Sequence, residues 1–308
     1  MQMQVVRGPG KVPLGVAEDA ILRAVGRYHY LSARQTTRAL VYSPGSLTLI
    51  QSKLKRLVDA GFLQRIFLPR ANQHAGSSPL VYSLASRGRH YLQDMGLSAP
   101  SRQRPSEEAE RERSLLFLPH TLAVNDFLIA ADLLSLRYPE VSLEGMIHER
   151  GLRREPVYVS EKGRIVPIVP DGWIDLLLSG NLQMCLVLEL DRGTVEQRAW
   201  RRKIRSLLAY ARGPYQERFG TTSLTVAVVT TAGEKRLGSL LRWTEAEIGT
   251  DCGGDADLFR LTGISAEEAS PEAIFGQPVW YRPGDEAPVP LLEGIAEGPS
   301  PGKDAALA

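Results

Sequence analysis

Residues 186–194 read Leu-Val-Leu-Glu-Leu-Asp-Arg-Gly-Thr, an apolar run of strand-forming residues that two acids interrupt. Glu189 and Asp191 are two positions apart, so both side chains project from the same face of a strand. A carboxylate inside an apolar strand is costly to bury unless it is paired, hydrogen-bonded or bound to a cation. The stretch therefore predicts a buried strand with two functional acidic side chains on one face.

The segments around this strand alternate between strand and helix patterns. The predicted strands are 141–148, 166–170 with 173–178, 182–190, 224–230 and 258–261, and the predicted helices are 120–136, 195–212 and 234–248. The order α-β-β-β-α-β-α-β is typical of a mixed sheet flanked by helices. We therefore expect an α/β (α+β) domain over residues 119–282, with a last short strand at 279–281 and a disordered acidic tail at 283–308.

Three carboxylates are expected to converge on this sheet. Hairpin pairing would bring Asp171, which precedes a predicted strand, beside Glu189 and Asp191. Oxygen-rich clusters suit Mg²⁺ or Mn²⁺, which can activate water and neutralise a scissile phosphate. These three residues are therefore the candidate metal ligands. The alternative is that the strand acids only order the sheet edge by pairing with Arg192, Arg201 or Lys203.

The same residues resemble the PD-(D/E)xK nuclease superfamily, whose members share a restriction-endonuclease-like core. The resemblance consists of Pro170-Asp171, then Glu189-Leu190-Asp191, then a helix that carries Gln197, Lys203 and Tyr210. The chain departs from the superfamily at Asp191, which stands where the catalytic lysine is expected. The resemblance implies that Lys203 replaces that lysine, with Arg192 as second choice. The implied catalytic set is Asp171, Glu189, Asp191 and Lys203.

The first 97 residues follow a different order of elements. Helical patterns at 18–28, 32–40 and 43–60 precede two strand-like runs at 62–68 and 80–84 and a fourth helical pattern at 86–95. The strand-like runs flank an eleven-residue polar segment, 69–79, which predicts a hairpin with a long tip. This order resembles a winged helix-turn-helix. The resemblance implies that the third helix enters the major groove of DNA.

Charge is distributed unevenly along the 308 residues, although the formal net charge is only +2. Residues 1–97 hold 13 basic and 4 acidic side chains, a net of +9, whereas residues 249–308 hold 3 basic and 11 acidic ones, a net of −8. A basic first domain favours a polyanion partner. The alternative is a solvated basic face on a domain that contacts only proteins.

The candidate DNA contacts are the polar and basic side chains of the second and third helices, of the hairpin tip and of the basic helix after Asp191. In the first domain they are Arg34, Arg38, Ser46, Thr48, Gln51, Ser52, Lys53, Lys55, Arg56, Arg70, Gln73 and His74. In the second domain they are Arg198, Arg201, Arg202 and Arg205. Phosphate contacts should dominate, and Gln51 or Ser52 is better placed for base edges.

A linker is predicted between the winged-helix domain, 1–97, and the second domain. Prolines and mixed charges dominate residues 98–113, so we assign 98–118 to this linker. Only Cys185 and Cys252 occur, which excludes a disulfide framework and favours a reducing cytoplasm. Neither a signal-peptide pattern nor a continuous apolar stretch of about 18 residues is found, so no membrane association is expected.

Together these motifs resemble the replication-relaxation family of plasmid and mobile-element proteins. The resemblance spans residues 17–248 and includes the winged helix, the stretch 120–126 (His-Thr-Leu-Ala-Val-Asn-Asp), Pro170-Asp171, the stretch 188–194, Lys203-Ile204 and Tyr210. It implies a bacterial DNA-binding protein that acts in replication, mobilisation or maintenance of such an element.

Three functions remain open from the sequence. The first is a DNA-binding module in which the nuclease-like domain adds DNA or protein contacts. The second is a Mg²⁺-dependent DNA endonuclease, and the third is a winged-helix transcription regulator whose second domain senses a ligand or dimerises. Double-stranded DNA is the expected partner. A replication or mobilisation protein and a second copy of the chain are further candidate partners.

Overall fold

The computed structural model describes residues 14–68, 80–97, 107–161, 163–249, 253–265 and 269–295. The chain divides into two compact units, Met1–Asn125 and Asp126–Ala308. Helices and mixed sheets build the protein, so the predicted α/β fold class is confirmed.

The first unit is a winged helix-turn-helix. Its elements are α1 (Val16–Tyr28), β1 (Leu31–Ser32), α2 (Ala33–Ala39), α3 (Leu47–Asp59), β2 (Leu63–Phe67), β3 (Leu80–Leu84) and α4 (Ser86–Asp94). The strands form an antiparallel sheet in the order β1-β3-β2. β2 and β3 are the paired strands of the predicted hairpin, and the predicted tip, 69–79, lies outside the described residues.

Local sequence signals fix the helix-turn-helix. Ser32 and Gln35 form a reciprocal capping box at the start of α2, in which each side chain accepts a hydrogen bond from the other residue's backbone N–H. In α3, Ile50, Leu54 and Leu57 recur at helical spacing and are buried, which leaves the opposite face to solvent. The apolar period of the sequence therefore determines which side of α3 is exposed.

The predicted linker is wrong over its second half. Residues 107–118 belong to α5 (Glu107–Arg137), a 31-residue helix that continues through Pro119. Leu118 packs with Leu68, which follows β2, and with Val81 of β3, so apolar contacts attach α5 to the hairpin at this residue. Residues 98–106 lie outside the described part of the chain, and the division of the chain into two units falls between Asn125 and Asp126 of α5.

The second unit is built on a five-stranded mixed sheet in the order β10-β9-β8-β7-β4. Its strands are β4 (Val141–His148), β7 (Gly172–Leu178), β8 (Leu182–Asp191), β9 (Thr225–Thr230) and β10 (Phe259–Gly263). β4, β7 and β8 are antiparallel neighbours, whereas β8, β9 and β10 are parallel. A separate hairpin, β5 (Val157–Glu161) with β6 (Arg164–Ile168), includes a strand that the sequence pattern did not predict.

Helices cover both faces of this sheet. They are α6 (Glu149–Arg154), α7 (Gln197–Ala211), α8 (Pro214–Phe219), α9 (Glu234–Ile248) and α10 (Gly253–Asp257), together with the second half of α5. Cys185 and Val187 of β8 belong to one apolar core with Trp200 and Ile204 of α7. On the other face, the position of a Cβ on Gly172 would lie 3.3 Å from Leu128 of α5. From Cys185 onward, β8 is therefore buried on both faces.

One segment of α5 has the length of a membrane-spanning helix. Phe117–Arg137 is apolar enough to cross a membrane by length and composition, and 61% of its most apolar window is buried within the protein. Asn125, Asp126 and Asp132 interrupt the segment, so it is not a continuous apolar stretch. The core helix of an ordinary α/β fold passes the same test, so the stretch is weak evidence for a membrane.

The predicted disordered tail is wrong for residues 283–295. This segment packs on the core: Val289 pairs with Trp280, and Leu292 donates its N–H to the carbonyl of Phe275. The buried aromatic rings of Phe127, Phe275 and Trp280 contact one another beneath it. Burial of this aromatic group explains why a Gly- and Pro-rich segment is ordered. The rest of the predicted tail, 296–308, lies outside the described residues.

Candidate functional site

The exposed face of α3 is the candidate DNA-reading surface. Thr48, Gln51, Ser52, Lys55 and Arg56 are exposed along it, and Ser46 is half-buried just before it. A helix that presents short polar and amide side chains can place hydrogen-bonding groups against base edges in the major groove. The structure therefore brings most of the α3 candidates together on one face.

Lys53 does not belong to that exposed face. Its side chain is 21% exposed, and its Nζ donates to Glu18 Oε1 of α1 at 3.0 Å. Glu18 Oε1 also lies 3.5 Å from Arg56 Nη1. Burial opposes the charge on Glu18, but the hydrogen bond from Lys53 and the nearby Arg56 lower the pKa of the carboxyl below its ordinary value. Glu18 is thus an ionised acid behind the basic helix.

The remaining first-unit candidates have different surroundings. Arg34 of α2 is exposed, and Arg38 is half-buried. Lys55 forms an exposed ion pair with Asp59, one turn along α3. The wing candidates Arg70, Gln73 and His74 lie outside the described residues.

The second unit contains an acid–lysine cluster, made by Asp171, Glu189 and Lys203. Lys203 of α7 forms an ion pair with Glu189 Oε2, and the Glu189 side chain is 1% exposed. Burial opposes the charge on Lys203, but the negative charges of Glu189, Asp171 and Glu149 raise the pKa of the ammonium above its ordinary value. The predicted association of these three residues is present in the structure.

The position of Asp171 follows from strand pairing. Its backbone N–H donates to the carbonyl of Leu188 at 3.0 Å, and its Oδ2 accepts from the N–H of Leu190 at 2.7 Å. The carbonyl of Asp171 accepts from the N–H of Glu149 at 3.0 Å. Asp171 is thus fixed beside the end of β8, where the sequence pattern predicted it.

Asp191 has a different environment from the other acids. Arg236 of α9 donates to both of its carboxylate oxygens, at 2.7 and 2.8 Å, and the Thr230 hydroxyl and the Gly193 N–H donate to Oδ2, both at 3.0 Å. Burial opposes the charge, but these hydrogen bonds lower the pKa of Asp191 below its ordinary value. The carboxylate therefore stabilises the end of β8 and the turn after it.

The predicted three-carboxylate metal set does not fit this geometry. Both oxygens of Asp191 are engaged by Arg236, and Glu189 is paired with Lys203. Within the described ranges, no group of three or more His, Cys, Asp or Glu side chains is arranged to hold a metal ion. Arg236 was not predicted as the partner of Asp191, because it lies 45 residues further along the chain, on α9.

Steric constraints explain why glycine occupies position 193, in the stretch 188–194. Gly193 has a φ of +81°, and a Cβ there would lie 2.8 Å from the Cβ of Ala232. A side chain would therefore meet both backbone strain and a close neighbour. The turn that directs the chain from β8 into α7 requires glycine.

Most of the basic charge on α7 is paired. Arg201 and Arg205 each donate to a separate oxygen of Glu247, at 2.6 and 2.7 Å, and Arg205 also contacts Glu161 at 3.3 Å. Arg198 and Arg202 are exposed. The structure therefore separates the four α7 candidates into two that anchor the helix and two that face solvent.

Tyr210, which the nuclease resemblance includes, is buried. It is 1% exposed, and its ring packs edge-on against Tyr215 with centroids 5.4 Å apart. Burial raises the pKa of its hydroxyl above the ordinary value. Tyr210 contributes to the core under α7.

The fold and these sites define a two-unit protein with a winged helix-turn-helix and a mixed-sheet unit that holds an acid–lysine cluster. The model of the replication-relaxation family matches residues 22–225, about two thirds of the chain. The chain belongs to the replication-relaxation family, and the resemblance seen in its sequence is confirmed.

Among solved structures, the chain is similar to Bacillus subtilis PadR in complex with operator DNA, at 21% identity and a TM-score of 0.23. The similarity covers 41% of this chain and 70% of that chain. No curated protein sequence matched the chain.

Proposed function

We propose that the protein binds double-stranded DNA through the winged helix of its first unit, with α3 in the major groove. The observation that carries this proposal is the exposed face of α3, on which Thr48, Gln51 and Ser52 adjoin Lys55 and Arg56. The amide of Gln51 can hydrogen-bond adenine at two positions, and short hydroxyl side chains can reach several base edges. The basic residues would contact phosphates.

The second unit adds a smaller basic surface to this proposal. Arg198 and Arg202 are exposed on α7, whereas Arg201 and Arg205 are committed to Glu247. We assign the first two as phosphate contacts and the other two as structural residues. This assignment narrows the DNA surface that the sequence indicated.

Binding can be tested with the full chain and a pool of random-sequence 30-base-pair duplexes, from which bound duplexes are selected and sequenced. Replacement of Gln51 and Ser52 by alanine should abolish enrichment of a common site and leave weak, sequence-independent binding. The control is Gln93→Ala, which truncates an exposed amide on α4. Failure of the unaltered protein to bind any duplex would refute the proposal, as would an unchanged selected site in the α3 variant.

Family membership connects the protein with replication, and we propose that it acts in replication, mobilisation or maintenance of a plasmid or mobile element in the bacterial cytoplasm. The family description supports this role. The test is to delete the gene from an element that carries it and to measure copy number and transfer. Complementation by the native chain, but not by the Gln51/Ser52 variant, is the expected result. Unchanged copy number and transfer would contradict the role.

DNA cleavage is a second candidate function, favoured by the cluster of Asp171, Glu189 and Lys203. The test is incubation of supercoiled, linear and single-stranded DNA with the protein and Mg²⁺ or Mn²⁺. Nicking that is lost in both Glu189→Gln and Lys203→Met would support an enzyme. Binding without nicking in either metal would exclude this second function and leave the DNA-binding proposal intact.

A further inference from the structure

Glu18 lies directly behind the basic side of α3. It is in the first turn of α1, its side chain is 6% exposed, and its Oε1 contacts both Lys53 and Arg56. A single carboxylate therefore faces two cations of the helix assigned to the major groove. The apolar residues Ile50, Leu54 and Leu57 already fix the buried face of α3, so attachment of the helix does not depend on this acid alone.

The other acid beside α3 differs in its exposure. Asp59 is 60% exposed, and its partner Lys55 is 72% exposed, so solvent and salt screen their attraction. Glu18 is shielded from solvent, and its attraction for Lys53 is screened less. A DNA phosphate that approaches Lys53 must therefore compete with Glu18, whereas one that approaches Lys55 meets little competition.

We propose that Glu18 limits the affinity of α3 for DNA, because it withholds Lys53 and part of the charge of Arg56 from DNA phosphates. This inference rests on the proposed DNA binding. Phosphate contacts supply affinity for every sequence, whereas base contacts by Thr48, Gln51 and Ser52 depend on sequence. Removal of one or two phosphate contacts lowers affinity for every sequence by about the same factor and flattens its salt dependence. Glu18 thus limits how strongly α3 holds DNA of any sequence.

The test compares Glu18→Gln with Asp59→Asn in the full chain. Each variant removes one negative charge from the same unit, so their net charges are equal, and glutamine keeps the size of Glu18. The measurement is the slope of log K against log salt on a 30-base-pair duplex of arbitrary sequence, by fluorescence anisotropy. Circular dichroism melting verifies that both variants are folded.

Glu18→Gln should steepen the slope by about 1, since each added phosphate contact contributes about 0.9. Raising salt from 50 to 200 mM should then weaken binding by about 3.5-fold more than in the native protein. Asp59→Asn should change the slope much less. Equal slopes for the two variants would overturn the role of Glu18 and leave the proposed DNA binding standing.

Lys53→Gln gives a second test that does not depend on the Glu18 variant being stable. In the native background it should leave the slope unchanged, because Lys53 is withheld. In the Glu18→Gln background it should remove most of the gain. A flatter slope for Lys53→Gln alone would overturn the inference, and absence of any DNA binding by the native chain would overturn both proposals.

Discussion

The two basic helices of the protein, α3 and α7, use similar side chains in different ways. On α3, Lys53 pairs with the buried Glu18, while Lys55 pairs with an exposed acid and Arg56 keeps an exposed side chain. On α7, three of the five cations pair with carboxylates that are at least 87% buried: Arg201, Lys203 and Arg205, with Glu247, Glu189 and Glu161. These three α7 cations are at most 40% exposed, whereas Lys55 and Arg56 of α3 are more than half exposed.

The difference lies in where the acids originate. The acids that hold α7 come from β8, β5 and α9, three elements packed around the helix. The acids beside α3 come from α1 and from α3 itself. A basic run in sequence can therefore anchor a helix or face solvent, and the exposure of each cation in the structure tells the two apart.

The largest effect is expected from Arg236→Met, which removes the partner of the buried Asp191. Loss of one member of a buried ion pair should lower the free energy of unfolding by about 3 kcal/mol at pH 7. The pKa of Asp191 lies below its ordinary value of 3.8, so the pair stabilises the native protein above about pH 4 and that stabilisation is lost as the pH falls.

The loss of unfolding free energy caused by Arg236→Met should therefore be smaller at pH 4 than at pH 7. As the pH falls, the unpaired, buried Asp191 is protonated and its uncompensated charge disappears. Urea unfolding followed by tryptophan fluorescence measures this, since all four tryptophans lie in the second unit. Arg202→Gln, which changes an exposed arginine, should cost less than about 0.5 kcal/mol. A deficit that is independent of pH would contradict the role of the Asp191 charge.

A smaller loss is expected from Lys203→Met, which leaves Glu189 buried without its ammonium. Because Lys203 is 38% exposed, we expect about 2 kcal/mol, less than for a fully buried pair. The double variant Glu189→Gln/Lys203→Met should recover part of that loss. Lys53→Met should cost under about 1 kcal/mol, because Glu18 keeps Arg56 nearby. Equal costs at Lys203 and Lys53 would break the comparison between the two helices.

The four arginines of α7 should contribute differently to DNA binding: two should contact phosphates and two should not. Arg198→Gln/Arg202→Gln should flatten the slope of log K against log salt by about 2, which corresponds to about 12-fold less weakening between 50 and 200 mM salt. Arg201→Gln/Arg205→Gln should leave that slope nearly unchanged and lower the free energy of unfolding by about 1 kcal/mol. Identical salt slopes for the two variants would contradict the division of α7.

Periodicity and local motifs predicted most of the fold. The apolar period of α3, the capping residues Ser32 and Gln35 and the apolar run of β8 are short-range signals, and each is realised in the structure. Asp171 and Glu189 were placed together because hairpin pairing fixes which residues are neighbours. These predictions depended on residues close in sequence or on adjacent strands.

The missed features depend on distant partners. The linker assignment failed because residues 107–118 belong to the long helix α5, in which Leu118 packs on Leu68 and Val81, far away in sequence. The tail assignment failed because residues 283–295 cover an aromatic group that includes Phe127, far away in sequence. The predicted metal set of three carboxylates was wrong at Asp191, because Arg236 forms an ion pair with that carboxylate. Local composition carries no signal for such pairings.

The smallest effect is expected at Cys185, which shares the α7 face of β8 with Glu189 and Asp191. Burial raises the pKa of its thiol to about 11, and the neighbouring Asp175 adds to the rise. At pH 8 the reactive thiolate is therefore scarce, and the sulfur is fully buried in the apolar core. In a Cys252→Ser background, the folded protein should show no reaction with a disulfide reagent at pH 8 within an hour and one full equivalent in urea. Rapid reaction of the folded protein would mean that the sheet face under α7 opens to solvent, and the buried acids there would then be screened like Asp59.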